Sequence, residues 1–175
     1  MRLADCVIEI LEEHGVEHVF TVTGGGAAYL CDALAKAKKI KYVCCHHEQA
    51  AAFAAEAYAR VRNGLGCAIV TSGPGGTNAV TGVAAAWLDH VPVIVISGQT
   101  FLKQTILGHE GLRTLGVQEI NIVEIVRPIT KYAAMVTEPN GIRFHVEHAL
   151  SLARNSRPGP VWLDIPANIQ NAQID

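Results

Sequence analysis

The sequence is poor in charge and in aromatic side chains: 17% of its 175 residues are Asp, Glu, Lys or Arg, and 6% are Phe, Trp or Tyr. The formal net charge is −2 and no basic cluster occurs, so nucleic acid and anionic membrane surfaces are poor partners. No apolar run reaches the ~20 residues of a membrane span. The first segment, MRLADCVIEILEEHGVEHVF, carries Glu9, Glu12 and Glu13 inside its apolar stretch, which a secretory h-region would not tolerate. Five cysteines (Cys6, Cys31, Cys44, Cys45 and Cys67) contain no CxxC pair. An odd count without a framework implies reduced, buried thiols and a cytoplasmic setting. His46 and His47 follow Cys44 and Cys45, but that spacing matches no standard zinc ligand set, and no metal site is expected within the chain. No GxSxG is present, and neither glycine-rich segment completes a nucleotide motif. GGGAAY has Tyr29 where the dinucleotide fingerprint needs its third glycine; SGPGGTN has Asn78 there, and no lysine follows as a phosphate-binding loop demands.

What is abundant is apolar: half of all residues, with a mean hydropathy of +0.24. A chain of one-domain length with so oily a composition implies apolar surface reserved for a partner. The elements alternate. Helical periodicity over 3–14 ends at Gly15, and a strand follows at 18–22. Gly24-Gly25-Gly26 opens a helix over 27–37, followed by a strand at 41–45, a helix at 47–62 and a break at Asn63-Gly64. The apolar run 66–71 is a strand, SGPGG a turn and 77–88 a helix, and VPVIVIS at 91–97 is a buried strand. Residues 99–118 have no clean period and read as a long functional loop. A short helix at 119–126, a strand at 132–136, a helix at 139–155 and a strand at 160–165 complete the series, and the tail PANIQNAQID reads as the start of a connection. Six strands alternating with helices predict a three-layer α/β/α fold around a doubly wound, mostly parallel six-stranded sheet, a single domain over 1–175.

In such a sheet ligands bind at the carboxyl ends of the strands. Two segments stand there: HHEQAAAFAAEAYAR, with Glu48 in the first helical turn, and TSGPGGTN. Taken alone each is ambiguous. A glutamate in a first turn is favoured by the helix dipole by ~0.3–1 kcal/mol without any catalytic role. A glycine turn can equally serve a non-catalytic nucleotide-binding or regulatory module that uses SGPGG.

The series helix, strand, GG, helix, strand, HEQAA…AEAYAR, strand, TSGPGGTN, helix, LDHVPVIVISGQ resembles the pyrimidine-binding domain of thiamine-diphosphate enzymes, and within them the acetolactate synthase group. The resemblance continues through IVRPITKYA at 125–133 and RPGPVWLDIP at 157–166. It implies that Glu48 is the cofactor-activating glutamate. In that family this carboxyl hydrogen-bonds N1′ of the aminopyrimidine and favours the imino tautomer, whose exocyclic nitrogen takes the C2 proton of the thiazolium. The physical need is a short charge-assisted hydrogen bond in a dry pocket, and Ala51 and Ala52 beside Glu48 cannot compete for it. By the same resemblance Thr71, Pro74 and Asn78 pack against the pyrimidine or fix its turn. Gly25 and Gly26 bring bare backbone to the reacting carbon, where a side chain would clash, and Gln118 reaches the reaction centre. The substrate class implied is a 2-oxo acid such as pyruvate, in decarboxylation or carboligation.

Three departures bear on the acceptor. Thr23-Gly24 stands where the family commonly has proline before the glycine pair. His46-His47 stands where arginine or proline usually precedes HEQ. The segment between Gln99 and Gln118 is longer than in acetolactate synthases and lacks their DAF signature. A pyruvate-dependent enzyme with another acceptor, such as a keto sugar, fits as well as acetolactate formation. In the family a second domain, marked by GDG and a later asparagine, holds the diphosphate through Mg²⁺. No GDG occurs here. The expected partner is therefore a diphosphate-binding domain or subunit, in a homodimer or higher oligomer, with the isolated chain inactive and FAD binding left open. The alanine-rich stretch 50–59 is expected to let a partner helix approach closely.

Overall fold

Apolar runs become strands wherever they can be covered on both faces. In the computed structural model, which describes residues 1–109 and 111–175, six strands form one sheet: β1 (His18–Thr21), β2 (Lys41–Cys44), β3 (Gly66–Val70), β4 (Val93–Gln99), β5 (Tyr132–Met135) and β6 (Val161–Pro166), of which β3, β4 and β6 are buried throughout. Their order is β2-β1-β3-β4-β6-β5, and every ladder is parallel. The connecting helices are α1 (Leu3–Glu13), α2 (Ala28–Ala35), α3 (Glu48–Arg62), α4 (Pro74–Leu88), α5 (Ile122–Val126), α6 (Ile142–Arg154) and the short α7 (Ala167–Gln170). Residues alternating along the strands feed two cores. Ile69, Ile94, Ile96 and Leu163 join α1, α2 and α6 on one face, and Ala68, Val70, Val93, Val95 and Trp162 join α3, α4 and α5 on the other. This is the three-layer fold that the alternation predicts.

Local chemistry sets the helix ends. Gly15, at φ +80°, ends α1, and Asn63, at φ +49°, ends α3, as small or amide side chains in the left-handed region usually do. Gly73 takes φ +58° ahead of α4, so that helix begins at Pro74, three residues before the expected start. The missing N–H of proline costs nothing at a first helical position.

The remaining differences are local. β2, expected as a strand at 41–45, is exposed at all four residues, and it lies at the edge of the sheet. The thiols are not uniformly buried: Cys6 and Cys67 are, Cys31 and Cys45 are half-buried and Cys44 is exposed. Residues 25–27 form a 3-10 turn before α2, and α5 begins at Ile122 rather than 119. The tail is not merely a connection, since 167–170 is helical and Leu3 N–H donates to Ala172 C=O. Within the chain, Ala51, Ala52, Ala55 and Ala59 of α3 are buried, and a Cβ at Gly82 of α4 would stand 2.6 Å from Ala52 Cβ. No helix among the described residues is long and apolar enough to cross a membrane.

Candidate active site

The sheet order places a topological switch point between β1 and β3, because the chain leaves β1 for β2 on one side and β3 for β4 on the other. A crevice at such a point, outside the carboxyl ends of the strands, is where open α/β sheets bind ligands. Three turns converge on it: Gly24–Gly26 after β1, His46-His47 after β2 and Thr71–Gly73 after β3.

Glu48 is the first residue of α3 and is 9% exposed. The preceding His47 caps the helix by accepting Gln49 N–H at Nδ1, 3.1 Å away. Asn78, one turn into α4, donates Nδ2–H to Glu48 Oε2 at 2.9 Å. The other oxygen, Oε1, faces the bare α-carbon of Gly75, where a Cβ would lie 3.3 Å away, and among the described residues no donor is bonded to it. The same missing Cβ would meet Thr71 Cγ2 at 2.6 Å. Thr71 is shared between two turns, since its Oγ1 accepts Gly26 N–H at 3.1 Å. Asn78, Glu48, Thr71 and Gly26 are thus linked through contacts that admit no side chain at position 75. Pro74 is exposed beside them as the first residue of α4.

Gly25 and Gly26 differ. A Cβ at Gly26 would stand 2.7 Å from Ser72 Oγ, so packing inside the chain explains its bareness. At Gly25 the same position meets nothing within 4 Å, so the clash expected there does not arise from this chain. Gln118 reaches the same edge through its backbone: it takes φ +56°, is exposed, and its carbonyl oxygen packs against the α-carbon of Gly73.

Three buried polar residues near this edge escaped the sequence reading. Glu119, directly after Gln118, accepts Ile106 N–H and Leu115 N–H at 3.0 Å each, one per carboxylate oxygen, and so ties down the irregular segment. Asp164, in β6, is fully buried and accepts Ser97 Oγ–H at 2.6 Å and Gln99 Nε2–H at 3.1 Å. Burial pushes its carboxyl up to about 7 against those two hydrogen bonds, with the charge of Glu119 adding to the rise. An acid inside the apolar run PVWLDI was the available signal. Gln170, the third, is fully buried at the end of α7.

The arrangement offers one nearly buried carboxyl with a single unbonded oxygen, in a crevice bordered by exposed glycine backbone. Such a group can take a hydrogen bond from a ring nitrogen or hold a proton against it. Gly75 N–H and Thr77 N–H of the glycine-rich turn are already bonded, to Ser72 and Gly73 carbonyls, and are not free for a phosphate. Among the described residues no group of three or more His, Cys, Asp or Glu side chains could hold a metal ion.

Comparison with known proteins bears directly on this geometry. Residues 1–125 match the family model "Thiamine pyrophosphate enzyme, N-terminal TPP binding domain". The chain belongs to this family. It is also 43% identical over 175 residues to an acetolactate synthase of Arthrospira platensis, a match covering 98% of this chain and 29% of that protein. To the acetolactate synthase large subunit of Corynebacterium glutamicum it is 42% identical over 175 residues, covering 100% of this chain and 27% of that one. The chloroplastic acetolactate synthase of Arabidopsis thaliana is 42% identical over 167 residues, 95% of this chain and 24% of the plant protein. The chain therefore spans under a third of the length of these relatives, and it aligns with them as a domain of the thiamine pyrophosphate enzyme family.

Proposed function

We propose that this chain is the pyrimidine-binding part of a thiamine-diphosphate-dependent enzyme that decarboxylates or joins 2-oxo acids such as pyruvate, with Glu48 as the group that activates the cofactor. The observation carrying this reading is the Glu48 carboxyl, nearly buried at the switch point, with Oε2 held by Asn78 and Oε1 unbonded. The residues present fit an aminopyrimidine: a directed carboxyl oxygen able to share a proton with a ring nitrogen, a Gly25 with open space at its Cβ position, and no competing donor at Oε1. When bound, thiamine diphosphate supplies the carbanion chemistry.

The roles of the chain's own residues follow from their contacts. Asn78 fixes the rotamer of Glu48 through Oε2 and leaves Oε1 to meet a ring nitrogen. Oε1 stays open toward the crevice, where a bound ring would replace water at that oxygen. Gly75 lets Thr71 and Glu48 approach the same α-carbon, and Thr71 carries that position across to Gly26. Pro74 starts α4 so that Asn78 falls one turn in, and Gln118 borders the same turn from the far side. Gly25 leaves room over the crevice.

The reading extends to what lies outside the chain. A diphosphate-binding domain or subunit would complete the site and bring Mg²⁺, in a dimer or larger assembly in the cytoplasm. The similarity to acetolactate synthases supports pyruvate as donor; the three departures in sequence leave the acceptor and any FAD to experiment. The decisive test is Glu48→Gln in the full-length protein, with thiamine diphosphate binding measured by calorimetry and C2 hydrogen–deuterium exchange by quenched NMR. Binding is expected to persist while exchange slows by roughly 10²–10⁴-fold, the usual worth of a positioned acid–base group. Wild-type exchange in the variant would overturn the assignment.

A further inference from the structure

The glycine turn over the crevice is held from both sides, by Thr71 and by Gln170, and the proposed function gives a role only to Thr71. Gly26 N–H donates to Thr71 Oγ1 at 3.1 Å. Gly26 C=O accepts Gln170 Nε2–H at 2.6 Å, across 144 residues of chain. The second Nε2 hydrogen of Gln170 goes to Ile165 C=O at 2.7 Å, and its Oε1 accepts Leu30 N–H at 3.3 Å. The two carbonyls require the amide NH₂ and the N–H requires the amide oxygen, so the orientation of the side chain is settled by its partners. This one amide joins the end of β6, the first turn of α2 and the glycine turn, and it is fully buried.

The clamp is tight where it touches protein. A Cβ at Gly24 would stand 2.5 Å from Thr71 Cβ and one at Gly26 2.7 Å from Ser72 Oγ, and Gly98 is bare against the Gly26 carbonyl. Gly25, between them, is the exception, with nothing within 4 Å of its Cβ position. Protein packing therefore requires glycine at 24, 26 and 98 but not at 25. The structure assigns Gln170 as a positioning residue: by holding the Gly26 peptide it fixes how far the Gly25 backbone stands out over the crevice, and so how closely a bound cofactor can be approached. This inference rests on the function proposed above, since the group that meets Gly25 is taken to be thiamine diphosphate.

A purely structural glutamine would tie the tail to the core and affect stability alone. The full-length protein distinguishes the two roles. Gln170→Met keeps the length and burial of the side chain but leaves the Gly26 and Ile165 carbonyls without a donor. Thiamine diphosphate is expected to bind the folded variant roughly tenfold more weakly, with slower C2 exchange at saturating cofactor. Gln170→Glu supplies one O–H donor only while it is protonated, which burial favours. Its affinity relative to wild type, compared at each pH, should recover as the pH is lowered. A folded Gln170→Met variant with wild-type affinity and exchange would overturn the clamp while leaving the proposed function standing. If that variant does not fold, the absence of acid recovery in Gln170→Glu would overturn it. Failure of the wild-type protein itself to bind thiamine diphosphate would sink the proposed function and this inference together.

Discussion

Asp164 makes the stability of this fold depend on pH in a direction opposite to most carboxylates. Its side chain is fully buried between β4 and β6, and its carboxyl sits at about 7 instead of 3.8. The native state therefore keeps a proton that the unfolded chain gives up at lower pH. Between pH ~4 and ~7 the folded form binds more protons than the unfolded form, so stability falls as the pH rises through that window and levels off above it. The interval is roughly three pH units, each worth about 1.4 kcal/mol, giving a loss on the order of 4 kcal/mol. That is a large share of the 5–15 kcal/mol that holds a typical domain together. Asp164→Asn keeps the shape and stays neutral at every pH. Urea unfolding of the 175-residue chain and its Asp164→Asn variant, at a series of pH values, isolates this group by difference, because all other titrations are common to both. Wild type should lose ground to the variant steadily from mild acid to neutrality. A difference that stays flat with pH would refute the reasoning, and a difference moving the other way would mean that the bonds from Ser97 and Gln99 outweigh burial.

The other expectations rest on single contacts. Gly82→Ala drives a methyl into Ala52 on the facing helix and should cost about 1–3 kcal/mol; the double variant with Ala52→Gly should recover part of it, both read from urea midpoints. Burial pushes the Cys67 thiol up to about 12, so a thiol reagent followed by peptide mass mapping should label exposed Cys44 in the native protein and Cys67 only on unfolding; native labelling of Cys67 would contradict the buried placement. Glu119→Ala leaves Ile106 N–H and Leu115 N–H without their carboxylate, each bond being worth about 1.5–3 kcal/mol. Amide hydrogen exchange at those two positions should accelerate while exchange in β3 and β4 is unchanged.

How far the sequence revealed this molecule depends on how local each determinant is. β3, β4 and β6 are legible because a parallel strand covered on both faces must be apolar throughout, and VPVIVIS or PVWLDI can hardly be anything else. KYVCC carries the same kind of signal, but its place at the sheet edge is decided by the order of the other strands, which no residue within it encodes. The turns at Gly24–Gly26 and Thr71–Gly76 are legible as glycine-rich breaks, and the strand-end rule alone brings Glu48 to the same crevice. What the rule cannot supply is the choice of partner. Asn78 reaches Glu48 because Gly73 and Pro74 start α4 early enough to put it one turn in, a matter of three residues that moves the side chain by nearly a full helical turn. Gln170 lies further out of reach. β6 returns between β4 and β5, which carries α7 back beneath α2, and only then does a glutamine near the end of the chain meet a carbonyl near its beginning. A buried amide in a four-residue helix has no periodicity to betray it. Residues that touch the crevice are announced by the turns that present them, whereas residues that hold those turns still come from wherever the topology happens to bring a donor. The second kind must be found by asking, carbonyl by carbonyl, what satisfies each buried turn.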